Sequence, residues 1–198
     1  MLVLIVSAQP PAQDAAERLA LFVARPRLVA LTATIILTWA VFSIPFVIML
    51  GPLLRAPSPG LALAASILSA IGIALLGFAQ FAYIGAMLSI VSAGRAPNTA
   101  DAIYQAAIWG NLLFFLTDPG LMMWGLGQVL FGWLAWRSHA LPRWVSLAGF
   151  MSGGAGLLTL AVYQSASLAL IQIAAFTVWA LAAAIVLFRR ESSLRRLP

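Results

Sequence analysis

Five uncharged polar residues interrupt stretches that are otherwise apolar: Gln80, Tyr83, Asn111, Gln128 and Gln172. Amide and phenol groups in such surroundings can hold a lipid headgroup or a small hydrophobic ligand, or they can hydrogen-bond one helix to another. The second use is the commoner, worth about 0.6 kcal/mol per bond. Counted at ~1.5 Å per residue from the helix starts inferred below, Asn111 and Gln128 fall near mid-membrane and Gln172 in the outer third. On the functional reading they line a polar cavity open to the outer leaflet.

Groups with stronger chemistry are few. Asp118 precedes Pro119, which suits an N-cap followed by the first helical position. Asn98 and Asp101 have capping-box spacing, while Asp14, Glu17 and Glu191 lie outside the apolar segments. With no carboxylate inside a span, ion-coupled transport and intramembrane aspartyl proteolysis are disfavoured. His139 is the single histidine and sits in the polar turn RSHALPR, where solvation is the usual state; Ser138 beside it has no geometry for attack. No catalytic residue is assigned. The chain has no Cys, which removes disulfides, thiolate nucleophiles and iron–sulfur ligation. One His excludes a bis-histidine haem within the chain, and the absence of Lys excludes a retinal Schiff base. No metal or cofactor is expected.

The elements that must position these groups follow from composition. Of 198 residues, 63% are hydrophobic and 8% charged, where a soluble domain carries roughly a quarter charged. Apolar runs of membrane-spanning length recur with short polar gaps. The fold class is therefore all-α, a polytopic membrane bundle forming a single domain over residues 1–198. Six spans are predicted, at about 28–50, 60–91, 99–116, 119–136, 142–162 and 168–188. Pro45 should kink the first and Gly51-Pro52 end it. The second is longer than one crossing and must tilt, protrude or bend near Gln80 to Gly85. The initial MLVLIVSA is too short and lacks the basic region of a signal peptide. After Pro10-Pro11, AQDAAERLALFVAR predicts a short helix in the membrane interface, redirected at Pro26. Ser167 is a candidate cap for the sixth span, and 189–198 form a basic tail.

All eleven basic residues are Arg, and their distribution selects a topology. With six spans and a cytoplasmic N-terminus, Arg55 alone lies outside and the other ten lie inside. Splitting the second segment gives three inside against eight outside, and a third span that fails to cross gives four against seven. Six spans with both termini cytoplasmic is the expectation. The arginines sit at helix ends without forming a stripe, so nucleic acid is not a partner; membrane lipids are. Arg137 and Arg143, with Trp136 and Trp144, anchor the RSHALPR turn at the membrane surface, and Trp124 belongs to the outer aromatic belt. Trp39, Trp109 and Trp179 fall mid-span, where core filling is the usual role. Gly149 and Gly153 form a GxxxG, which packs helices within the bundle more often than it joins two copies or a complex partner.

The sequence RSHALPRWVSLAGFMSGGAGLL resembles a turn and helix of domain of unknown function 4386 proteins, small bacterial integral-membrane proteins. Arg137, Ser138, Pro142, Arg143, Trp144 and Gly149 carry the resemblance, with the preceding WGLGQVLFGWLAW. It implies a multi-pass protein of the bacterial cytoplasmic membrane and supplies no catalytic residues. The expected function is non-enzymatic: binding a lipid or small hydrophobic molecule, or serving as an accessory subunit. The alternatives are an uncoupled small-molecule transporter or channel, and an intramembrane enzyme using Asp118 or His139.

Overall fold

The computed structural model describes residues 14–92, 99–158 and 166–194. It is all-helical over them: α1 (Asp14–Ala24), α2 (Pro26–Leu54), α3 (Pro59–Ser92), α4 (Ala100–Ser138), α5 (Arg143–Leu158) and α6 (Ala166–Leu194). By length and composition α2, α3 and α4 are each long and apolar enough to cross a membrane, and α6 contains a shorter apolar stretch, Ile171–Val186. The distribution of side chains agrees with that. Large apolar residues such as Phe42, Phe78, Phe115 and Met151 face outward, while Gly, Ala and Ser occupy helix contacts, the pattern of helices that associate in lipid by close packing.

The expected break between a third and a fourth span is absent. α4 runs unbroken for 39 residues through Asp118 and Pro119, a length of about 58 Å. Asp118 therefore caps nothing; it lies in a helix interior. Pro119 removes one backbone hydrogen bond to the carbonyl of Phe115, and packing against α3 offsets that loss. α3 is itself an uninterrupted 34-residue helix, and the two lie antiparallel. A Cβ on Gly120, the residue after the proline, would sit 3.1 Å from the Gly72 carbonyl oxygen. So close an approach directly past Pro119 packs α4 tightly against α3 at the proline.

Other boundaries also shift. α2 continues through Gly51-Pro52 to Leu54. Ser58 starts α3, its carbonyl accepting from the Ala62 N–H at 3.1 Å, with Pro59 first in the helix. Thr99 caps α4, its side chain accepting from the Ala102 N–H at 3.4 Å; Asn98, the expected cap, lies outside the described residues. Asp101 instead accepts from the Gln105 amide at 3.4 Å. The expected cap Ser167 lies within α6, which extends as helix to Leu194, through most of the expected tail. The ends of the predicted fifth span and of the tail, and the YQSAS turn apart from its last two residues, fall outside the described residues.

The long helices divide the interior into two cores. One gathers the C-terminal part of α2, the N-terminal part of α3, the C-terminal half of α4, α5 and α6, around Leu50, Ile73, Trp124, Phe131, Val145 and Trp179. The other gathers α1, the start of α2, the C-terminal part of α3 and the N-terminal half of α4, around Phe22, Tyr83, Met87 and Ala106. α1 forms as predicted, but its apolar face is taken up by protein: Ala15, Leu19 and Phe22 are buried, with Phe22 edge-on to Tyr83 at 5.9 Å.

The turn between α4 and α5 is built by local chemistry. Ser138 Oγ accepts from the Ala140 N–H at 3.2 Å, and His139 ends α4 in the left-handed region, with φ 51°. A non-glycine residue there meets a steric cost that Gly does not. His139→Gly is expected to stabilise the fold by about 0.5–1 kcal/mol, read as a later midpoint in a denaturing-detergent titration. An unchanged or earlier midpoint would show that the imidazole contributes more than the strain costs.

Candidate functional site

On α4, Leu121, Trp124, Gln128, Phe131 and Ala135 recur at three- and four-residue steps and are all buried. On α6 the corresponding face carries Gln172, Phe176, Trp179 and Ala183, likewise buried. These two stripes face the bundle interior together with Trp39 and Phe46 of α2, and the six aromatic rings form a chain. Trp124 meets Phe176 with centroids 4.9 Å apart and Trp39 at 5.3 Å. Trp179 lies 5.9 Å from Phe176, 6.0 Å from Phe131 and 5.9 Å from Phe46. Most of these pairs are edge-to-face, the arrangement favoured by ring quadrupoles.

Close helix contact makes this interior possible. α4 and α5 meet backbone to backbone: a Cβ on Gly153 would lie 2.6 Å from the Gly125 carbonyl oxygen and 2.7 Å from Val129 N. A Cβ on Gly149 would lie 3.0 Å from Trp179 Nε1 and 3.3 Å from Gly132 Cα. The GxxxG surface of α5 is thus covered within the chain by α4 and α6. Packing at this density leaves no room for side chains at the contact, and the aromatic residues fill the space beside it.

Within this packed core several polar atoms have no hydrogen-bond partner among the described residues. They include both amide atoms of Gln128, the indole Nε1 of Trp124 and of Trp179, and the hydroxyls of Ser69 and Ser146. Gln128 is 0% exposed, and it sits one turn from Trp124 on one side and one turn from Phe131 on the other. Burying an amide without partners is costly, and native proteins tolerate it where something else completes the bonding.

The predicted polar residues separate. Gln172 belongs to this core but is tied into it: its Nε2 donates to the Leu121 carbonyl at 3.2 Å, and Ser152 Oγ donates to the Gln172 carbonyl at 3.2 Å. It bridges α4, α5 and α6. Asn111 faces outward on α4, in the stripe of Tyr104, Ile108 and Phe115. Since α4 is one helix, Asn111 and Gln128 stand about 26 Å apart along a single axis, and they do not share a membrane depth. Tyr83 is buried in the other core and Gln80 is half-buried on α3. Of the five residues, Gln128 and Gln172 lie in the same core, with Gln172 bonded at the level of Leu121, about 10 Å along α4 from Gln128.

The tryptophans also redistribute. Trp124, expected in the outer belt, is wholly buried, because α2, α3 and α6 pack on its face of α4 through Trp39, Gly72 and Phe176. Trp39 and Trp179 join it, and Trp109 packs against the other core. The residues expected to anchor the turn lie at the protein surface. Trp136 and Trp144 are exposed, Arg143 lies 5.6 Å over the Trp136 ring and Arg137 5.8 Å over Trp133. Among residues the sequence reading passed over, Phe131 and Phe176 carried a legible signal in their helical spacing with Gln128 and Gln172. Ser69 and Ser146 carried none.

An all-helical chain with an apolar exterior, small residues at its helix contacts and an aromatic interior holding uncharged polar groups is a membrane-type helical bundle. The particular assignment is to the family described as Domain of unknown function (DUF4386): the match covers residues 2–191, and the chain belongs to that family. The similarity thus runs well beyond the turn after α4 and includes the N-terminal half. No curated protein and no solved structure matches the chain.

Proposed function

We propose that this chain is a non-enzymatic, multi-pass protein of the bacterial cytoplasmic membrane that holds a lipid or small hydrophobic molecule in the aromatic core beside Gln128. The observation carrying this reading is that the two polar atoms of the wholly buried Gln128 amide have no hydrogen-bond partner among the described residues. A bound molecule would complete their bonding. Native mass spectrometry of protein extracted in mild detergent is expected to show a retained small molecule. Spectra free of any adduct across several detergents would overturn the reading.

The uninterrupted α4 supports a different topology from the six-span expectation. Five elements, α2 to α6, then run alternately through the bundle. Among the described residues one end carries Arg55, Arg137, Arg143, Arg189 and Arg190, the other Arg18, Arg25 and Arg27, a tally of five to three. The positive-inside bias assigns the richer end to the cytoplasm, so the chain enters α2 from the opposite side. Because the sequence has no Cys, single cysteines report this directly. In intact cells, Ser92→Cys is expected to react with an impermeant maleimide and Ala56→Cys to react only after permeabilisation. The reverse pattern would sink the five-span assignment.

A further inference from the structure

We propose that the face built at the turn between α4 and α5 by Trp133, Trp136, Arg137 and Arg143 holds the headgroup of an anionic phospholipid, with an acyl chain lying along Leu147 and Met151 of α5. This is a second site, at one end of the bundle, and it does not depend on the reading of Gln128.

Local structure brings the two guanidinium groups together. Trp133, Trp136 and Arg137 are spaced three and four residues apart, which puts them on one face of α4, and all three are exposed. Beyond them the left-handed His139 and the buried Leu141 fold the chain back into α5. Arg143, the first residue of α5, then returns over α4. Its guanidinium lies 5.6 Å from the Trp136 ring, while that of Arg137 lies 5.8 Å from the Trp133 ring. The two charges thus rest on neighbouring rings of one helix face. A cation held over a ring uses none of its hydrogens there, so the N–H donors of both groups remain for an oxyanion.

No carboxylate close in the chain neutralises them. The sequence from Pro119 to Arg190 contains no Asp or Glu. Among the described residues this end of the bundle carries Arg55, Arg137, Arg143, Arg189 and Arg190 against the single carboxylate Glu191. The other end carries Arg18, Arg25 and Arg27 against Asp14, Glu17 and Asp101, and is balanced. A cationic surplus confined to one end attracts anionic headgroups. The ammonium of a zwitterionic headgroup would meet it with like charge.

The surface around the pair selects a lipid over a dissolved anion. Trp133, Trp136 and Trp144 are exposed beside the arginines, the placement that indoles take at a membrane–water boundary. Leu147 stands one turn from Arg143 along α5 and Met151 one turn further, exposed by 50% and 65%. A free phosphate would engage the guanidinium groups and leave this apolar track uncovered. A phospholipid engages both, with its phosphate at Arg137 and Arg143 and a chain along Leu147 and Met151.

The test is a competition. The full chain is reconstituted in nanodiscs of equal phosphatidylcholine and phosphatidylglycerol, released into mild detergent, and its retained lipids are counted by native mass spectrometry. Phosphatidylglycerol is expected to be retained about tenfold or more over phosphatidylcholine. Each arginine charge removed should weaken that retention about fivefold, so Arg137→Gln combined with Arg143→Gln brings the two lipids level. Arg137→Lys combined with Arg143→Lys should keep part of the preference, and Arg27→Gln, at the other end, all of it. If the double Gln variant is too unstable to purify, the two single Gln variants carry the comparison. Phosphatidylglycerol added to the chain in detergent should also raise its unfolding temperature, and about 0.5 M salt should remove most of the rise. Equal retention of the two lipids by the natural chain overturns the proposal. So does a preference that survives in the double Gln variant or, where that variant fails, in both single ones. Inorganic phosphate at about 10 mM that raises the unfolding temperature as far as the lipid does also overturns it, since the site then takes a free anion.

Discussion

Gly72→Val is expected to be the most damaging single substitution in the protein. Gly72 is the point at which α3 and α4 touch through their backbones. A Cβ there would overlap the Trp124 backbone nitrogen and lie 2.6 Å from the Gly120 carbonyl oxygen and 2.7 Å from Trp124 Cβ. The neighbours are helix backbone and cannot rotate away, so the helices must part. Their separation would open the contact on which both cores depend, since α3 and α4 are the two helices that run through the whole height of the molecule. Overpacking typically costs 1–3 kcal/mol, and about 3 kcal/mol or more is expected here because backbone must move. Gly72→Ala should already destabilise measurably, and Gly72→Val should give protein that aggregates on extraction or unfolds early in a detergent titration. By contrast a Cβ on Gly85 of the same helix would meet nothing within 4 Å, so Gly85→Ala should be tolerated. Equal effects at the two positions would contradict the packing described above.

Trp124→Ala is the second large effect. The ring is 0% exposed and holds Trp39 of α2 and Phe176 of α6 against α4, at 5.3 and 4.9 Å. Truncation removes a large volume from the junction of three helices, which cannot collapse around it because α4 is pinned by glycine contacts to α3 and α5. Large-aromatic truncations of this kind cost about 3–5 kcal/mol, and the expected outcome is a loss of that order in unfolding free energy, with α2 and α6 loosening first. Hydrogen exchange should report faster amide exchange in those two helices than in the α1 region, which belongs to the other core. Uniform loss of protection along the chain would mean that the two cores do not behave separately. Trp109→Ala, on the second core, should produce the complementary pattern.

Both results turn on one departure from the sequence reading. Asp118-Pro119 is an excellent local signal for a helix start, with a capping side chain worth about 1 kcal/mol and a proline that costs about 3 kcal/mol in a helix interior. Those terms favour a break. The signal is equally compatible with a continuous helix if a partner lies along its full length, and α3 is that partner. Asn111 and Trp124 were misplaced for the same reason: the depth of each was counted from a helix start that does not exist. Resetting the origin changes their depth, and the helices packed on α4 decide the rest, leaving Asn111 in the exposed stripe and Trp124 in the core. The apolar side of α1 could not reveal its cover either, because a face suited to a membrane interface is equally suited to Tyr83 and its neighbours.

The RSHALPR turn was read more fully. Its arginines and tryptophans meet through short-range stacking that adjacent residues determine. Arg143 over Trp136 and Arg137 over Trp133 express the pairing that their spacing allows. Family membership was legible in the same stretch.

By itself the sequence determined that the chain is helical and apolar on the outside, and that the chain turns between Arg137 and Arg143. It did so because composition and apolar run length decide whether backbone polar groups must be satisfied within helices, a requirement independent of neighbours. The tertiary structure alone decided that α4 is one helix, that Gln128 lies at the centre of an aromatic core, and that Asn111 does not join it. Those outcomes depend on which helices touch and at what register. A one-residue local preference of a few kcal/mol yields where the Gly72–Gly120 approach lets two long helices pack together.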